Sequence, residues 1–473
     1  MKTLIIILVI VLTKNKNVRC FNIFDVMTEK IAEFTHRIVT TFNDIKDKVK
    51  NLFQINKAMD KLSVLKQSIM EEKIRKSFHD FVEKTAAESR TESLEYLNLK
   101  SEPTALMSTS QLGILHGKRV ESHVVNTKDG YLLTIHRISD TVESSVVNRT
   151  SQTVLLHHGL LGSSADWILL GPNKSLPYIL SNSGYDVWMT NARGNYYSRG
   201  HFTKRVHSAE FWQFTFQEMG QYDLPAVIDY IRKIKNTSKP INYIGHSMGA
   251  TALLVLLSTV PKYNDYLRIA ILLAPLVFMA NIQGPLKVLT SLSARPPEQL
   301  LKIIGEGEFI PSRKIMPWVS SKYCQGPKIY CNNPLLFLSG IPQEKAWSTS
   351  FIARLLYHVP AGGSTNTILH YGQLAESAKF HSFGDISGEF NLSRVSVPIA
   401  MFSSSDDWLA TVPDVLKLYF SIKSPIDHYI IKGKNLSHTE FVWGSEADTL
   451  VFIKVIEFLE NGLDSISIKL NEV

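Results

Sequence analysis

The sequence predicts an α/β protein: a mainly parallel sheet with helices on both faces, an inserted and mostly helical cap, and a helical N-terminal extension. Three observations carry that prediction. Short apolar runs alternate with helix-forming stretches after residue 107, one serine sits between two glycines at a strand-to-helix junction, and the alternation lapses between residues 281 and 394 before strands resume.

From the N-terminus, the run Leu4 to Leu12 follows a basic Lys2 and is too short to span a bilayer, so residues 1–20 read as a signal peptide. No glycine or proline precedes Pro103, whereas all 25 glycines fall from Gly113 onward. Between them, Phe24, Met27, Ile31, Phe34, Ile38, Phe42, Ile45, Val49 and Leu52 recur in steps of three and four. That spacing puts them on one helical face, and residues 21–106 form the extension. It is either a pro-segment packed on the body or an element for lipid surfaces or self-association.

The body, 107–280 and 395–473, carries the strands. "TVLLHHG" (153–159), "YDVWMTN" (185–191), "INYIGHS" (241–247), "RIAILLAP" (268–275) and "VPIAMFSS" (397–404) are buried strands ending in turns. Leu224 to Lys235 and Ala250 to Ser258 are helical stretches between them. The cap, 281–394, holds the bulky segments "NIQGPLKVL" and "FIARLLYHV", suited to shielding an apolar pocket or to packing within the cap itself. No segment reaches transmembrane length, since "IAILLAPLVFMA" is short and holds Pro275.

Composition narrows the function classes. A 44% hydrophobic content with mixed charge excludes wholesale disorder. The net charge of +8 would suit an anionic lipid surface or a plain basic exterior, and no zinc-finger or RNA-binding signature supports nucleic acid. If Cys20 leaves with the signal, Cys324 and Cys331 remain, and an oxidising compartment favours a local disulfide over two buried thiols. They lack the partners for a zinc site. Sequons at Asn148, Asn173, Asn236 and Asn391 are candidate glycosylation sites, whereas Asn435 lies three residues from a candidate catalytic histidine and is expected to be bare.

The chemistry centres on Ser247, within "IGHSMG". G-x-S-x-G at a strand-to-helix bend exposes the serine oxygen, and the small flanking residues let neighbouring backbones approach. A free hydroxyl is a weak nucleophile, so it needs a base within reach and a group that orients the base. In this arrangement the acid and then the base follow the serine on loops after late strands. Asp406 and Asp407 come directly after "VPIAMFSS", and spacing leaves both open. Of the later histidines, His428 lies in the strand-like run "DHYIIK", whereas His438 enters a final helix from a loop and is the better base. Backbone N–H groups of Met248, after the nucleophile, and Leu160, in the turn "HHGLLG", would form an oxyanion hole. The adjacent His157 and His158 should point apart at a strand end and serve as structural residues, not metal ligands.

These residues carry a resemblance. "HGLLGSSADWI", "NARGNYYSRGH", "FWQFTFQEMGQYDLPAVIDYI", "IGHSMG" and "SHTEFVWG" each resemble segments of the acid lipase family, the group of lysosomal acid lipase and gastric lipase, in the same order over roughly 107–473. The resemblance implies an α/β-hydrolase core, a lid-bearing cap and hydrolysis of ester bonds in neutral lipids at a lipid–water interface, with no metal or organic cofactor. It puts the nucleophile on Ser247, the base on His438, the acid on Asp407 and not Asp406, and the oxyanion donors on Leu160 and Met248. It also implies a cap disulfide at Cys324 and Cys331, more closely spaced than in the family. Ser404 and Ser405 stand where the family has glycines, and 21–106 has no counterpart. The product would be secreted or lysosomal, of open oligomeric state. The competing class is a non-catalytic lipid-binding or yolk-like storage protein on a lipase fold.

Overall fold

The computed structural model describes residues 103–140, 152–283, 307–309, 349–434 and 436–461. The expected signal peptide, nearly all of the extension, Asn148, Asn435, Cys324, Cys331 and much of the cap lie outside them. All described residues belong to one compact unit, Asn98–Leu286 with Glu306–Val473.

A short helix, α1 (Thr109–Leu115), opens on a capping box in which Ser108 and Gln111 each satisfy the other's backbone N–H. Two long antiparallel strands follow, β1 (Lys118–Asn126) and β2 (Tyr131–Asp140). The parallel series then begins with β3 (Thr153–His157), which is buried along its whole length. Helix α2 (Leu176–Asn182) leads to β4 (Asp186–Met189), and the two-residue β5 (Gly200–His201) pairs with β2. Helix α3 (Leu224–Ile234) buries Leu224, Val227, Ile228 and Ile231 on one face, with Arg232 and Lys233 in its last turn.

Strand β6 (Ile241–His246) and helix α4 (Met248–Thr259) form the centre. Every residue of β6 is buried, and so is every residue of α4 from Met248 to Ser258. Such a helix has no amphipathic pattern because it is covered on all sides. After β7 (Leu267–Leu273) the described part of the insertion holds α5 (Thr349–His358), α6 (Thr365–Ser377) and the small hairpin of β8 (His381–Ser382) and β9 (Asp385–Glu389). The sheet then resumes with β10 (Ile399–Ser404), helix α7 (Val412–Ser421) and β11 (Pro425–Ile431), and helix α8 (Ile453–Asn461) ends the described chain.

The strand order is β1-β2-β4-β3-β6-β7-β10-β11, with every pairing from β4 to β11 parallel. The predicted mainly parallel sheet is therefore present, with an antiparallel pair added at one edge. The C-terminal ends of β6, β7, β10 and β11 lie side by side, and that rim receives the loops that carry the site. Among the described residues no helix is long and apolar enough to cross a membrane.

Candidate active site

Ser247 occupies the single-residue bend between β6 and α4, with φ 54 and ψ −112. A non-glycine residue held there is strained, and the strain persists only because the surroundings fix it. Ser247 N–H donates to Leu273 O at 2.9 Å, tying the bend to β7. The neighbouring glycines answer to sterics. A Cβ on Gly249 would fall 2.4 Å from His157 O, and one on Gly245 would fall 2.8 Å from Ala250 N. Either position admits hydrogen alone, which lets the strand end and the helix start approach each other.

The hydroxyl meets a histidine. Ser247 Oγ lies 2.8 Å from His438 Nε2, and His438 Nδ1 lies 2.9 Å from Asp407 Oδ2. A carboxylate only accepts, so Nδ1 carries the proton and Nε2 accepts from the serine hydroxyl. Asp407 is almost wholly buried, and its other oxygen, Oδ1, accepts from Leu409 and Ala410 N–H at 2.8 and 3.0 Å. Asp407 is thus fixed by the loop after β10, His438 by the loop after β11 and the Ser247 hydroxyl by the bend after β6.

The alternatives left open by spacing separate on burial and reach. Asp406 is half-buried beside Ser405 Oγ at 3.4 Å and touches no histidine among the described contacts. His428 lies inside β11, its Nε2 2.7 Å from Ser403 Oγ, and burial lowers its pKa. It is a sheet residue.

The oxyanion candidates flank the serine. Met248 is the first residue of α4, and the turn Gly159 to Gly162, closed by a 3.2 Å bond from Gly162 N–H to Gly159 O, carries Leu160. A Cβ on Gly159 would fall 3.3 Å from Ser247 Cβ, so this turn lies directly against the serine. Leu161 follows with φ 59, and its carbonyl accepts from Ala361 N–H at 2.7 Å.

His157 and His158 are structural in their contacts, both donating through Nδ1 to backbone carbonyls. The expected opposite orientation does not hold: the rings sit 5.2 Å apart, tilted by 39°. The strand ends at His157, so its two-residue alternation does not extend to His158. Burial lowers them to about 4 and about 3, which keeps both neutral. Among the described residues no group of three His, Cys, Asp or Glu side chains could hold a metal.

The comparisons fit this geometry. The family described as partial alpha/beta-hydrolase lipase region matches residues 109–171, and that described as alpha/beta hydrolase fold matches 152–312. Lipase 3 of Drosophila melanogaster is 35% identical over 367 residues, 73% of this chain and 91% of its own. Lysosomal acid lipase/cholesteryl ester hydrolase of Homo sapiens is 32% identical, covering 76% of this chain and 92% of its own. Gastric triacylglycerol lipase of Bos taurus is 32% identical with the same coverage. The chain belongs to the acid lipase family.

In this acid lipase, sequence reasoning missed the histidine before the serine. His246 is buried and its Nε2–H donates to the His438 carbonyl at 2.9 Å, so the residue before Ser247 holds the backbone of His438. Burial and the nearby His438 lower its pKa to about 3. The middle residues of a G-x-S-x-G pattern carry no signal that would have revealed this. The serines in place of family glycines are accommodated: buried Ser404 Oγ accepts from Asp406 N–H at 3.1 Å, and Ser405 is exposed. Of the candidate sequons, Asn173, Asn236 and Asn391 are all exposed.

Proposed function

We propose that this acid lipase hydrolyses carboxylic esters of neutral lipids, triacylglycerols or sterol esters, through a serine acyl-enzyme. The observation that carries the reading is the unbroken row from Ser247 Oγ through His438 to Asp407, with links of 2.8 and 2.9 Å. His438 takes the serine proton as Oγ attacks the ester carbonyl, and Asp407 holds the ring in the productive tautomer and steadies the imidazolium. The N–H groups of Leu160 and Met248 receive the developing oxyanion. The proton then passes from His438 to the leaving alcohol, and water repeats the sequence to free the acid. The chain's own residues supply every one of these roles.

The names of the human and bovine relatives, a cholesteryl ester hydrolase and a triacylglycerol lipase, support the two substrate classes. The N-terminal signal reading supports export, with secretion or lysosomal delivery as the destinations, and a lipid–water interface as the place of work. A storage or carrier protein would have no need of the strained bend at Ser247 or of its aligned partners.

Hydrolysis of emulsified triolein and cholesteryl oleate by the wild type and by Ser247→Ala tests the reading. The variant is expected to stay folded and lose at least about 10⁴-fold in kcat. Retained turnover rejects the assignment.

A further inference from the structure

The oxyanion turn is held by a side chain that touches no reacting atom. His158 Nδ1 lies 2.7 Å from Gly159 O. Its other nitrogen, Nε2, accepts from Ala192 N–H at 3.0 Å and from Asn195 Nδ2 at 3.3 Å. Two donors on Nε2 leave the proton on Nδ1, so the ring is neutral and its Nδ1–H donates to the Gly159 carbonyl. That carbonyl and the Leu160 N–H belong to one trans peptide plane and point in opposite directions. Whatever holds the carbonyl therefore aims the N–H.

The second donor is held in the same way. Met248 N–H shares its plane with the Ser247 carbonyl, which accepts from Ala250 N–H at 3.0 Å and Thr251 N–H at 3.3 Å in the first turn of α4. A helix fixes that plane without help. The Gly159–Leu160 plane lies in a turn whose own closing bond, from Gly162 N–H, is a longer 3.2 Å. The ring in turn is anchored by the loop after β4, where Asn195 Nδ2 also donates to Asn191 Oδ1 at 3.1 Å.

We propose that His158 is a positioning residue for ester hydrolysis: its Nδ1–H, by holding the Gly159 carbonyl, aims the Leu160 N–H at the oxygen that gains charge. The inference rests on the acyl-transfer reading above and adds a residue to it. It also separates the two ring nitrogens. The Nδ1 side sets the oxyanion donor, whereas the Nε2 side only anchors the ring.

The test compares His158→Asn, whose Nδ2 can donate in place of Nδ1, with His158→Gln, whose Oε1 can accept in place of the ring Nε2. Three quantities are measured in the full chain: kcat and KM on a soluble butyrate ester, affinity for an alkyl boronic acid, and the stoichiometry of Ser247 labelling by a phosphorylating inhibitor. His158→Asn is expected to keep kcat within about 5-fold. His158→Gln is expected to lose about 10- to 100-fold in kcat and in boronate affinity, below the loss of a whole donor, with KM within about 3-fold. Labelling at completion should stay at one per chain.

A Gln chain as active as the Asn chain, or one whose boronate affinity is unchanged, overturns the proposal while leaving the labelled serine in place. Failure of the wild type to label at Ser247 overturns the acyl-transfer reading itself, and the proposal with it. If the Gln chain does not fold, the Asn chain still decides: a folded His158→Asn protein that loses more than about 100-fold in kcat overturns the proposal.

Discussion

At Asp166 the chain buries a carboxyl four residues beyond the oxyanion turn, and its Oδ1 has no hydrogen-bond partner among the described residues. Burial raises its pKa to about 8, opposed only in part by N–H groups of Ser163 and of Asp166 itself. An unfolded aspartate releases its proton near pH 4. Between those values the folded chain keeps a proton that the unfolded chain gives up, so folding stability falls as pH rises. The contribution of Asp166 is fully present below about pH 4 and is lost as pH passes through about 8. Asp166→Asn cannot ionise. It is expected to raise Tm at pH 7 by a few degrees, to change little at pH 4, and so to flatten the decline between them. Thermal melts of both chains across pH 4 to 8 check this, and parallel curves would reject the role. Asp407 shows the opposite use of a buried carboxylate, since two N–H groups and the His438 ring surround it. Spacing could not choose between Asp406 and Asp407 because the difference lies in which way the loop turns. The resemblance to a family stretch made the choice.

At the scale of elements, the glycine after Ser247 sets how closely α4 can approach β3. A methyl group at Gly249 would fall 2.4 Å from His157 O, and the atom it meets is backbone, which cannot swing aside. Gly249→Ala must therefore move the start of α4 or the end of β3, and either shift separates the Met248 and Leu160 N–H groups. The expected result is a loss of about 1–3 kcal/mol in urea denaturation, in line with overpacking elsewhere, with a fall in kcat larger than any change in KM. An unaltered kcat would show that the bend tolerates the displacement. The parallel strands were legible because apolar runs such as "INYI" are buried on both faces and end abruptly in turns. The pair β1 and β2 was not read. Most of β1 is half-exposed or exposed, and the charges at Lys118, Arg119 and Glu121 in β1 and Arg137 in β2 blur the apolar signal. The turn "NTKDGY" between them, with Gly130 at φ 99, was the signal that could have found the hairpin.

Across the whole molecule, contacts distant in sequence converge on the segment Ala361–Ser364, which no periodicity could have marked. Ala361 N–H donates to Leu161 O at 2.7 Å, and Ala361 O accepts from Tyr196 N–H at 2.8 Å. Phe309 N–H donates to Gly363 O at 2.9 Å, and a Cβ on Gly363 would fall 2.9 Å from Leu161 Cδ2. The short piece Gly307–Phe309 is in turn clamped to the core, because Arg199 meets Glu308 with two parallel bonds of 2.7 and 2.8 Å. A planar guanidinium against a carboxylate fixes direction as well as distance. The insertion thus reaches the oxyanion turn through a chain of backbone bonds whose outer end is an ion pair. Both partners are mostly shielded, but neither is fully buried, so the pair is worth about 1 kcal/mol and not several. A double-mutant cycle of Arg199→Met and Glu308→Gln in urea should give a coupling of about that size. The more telling measurement is amide exchange: Arg199→Met is expected to speed exchange at Phe309 and Ala361, whose N–H groups bridge the segment to its neighbours, while β6 stays protected. Unchanged exchange at both amides would mean that the segment Ala361–Ser364 is held by its own backbone bonds, with the ion pair adding nothing to the turn Gly159 to Gly162.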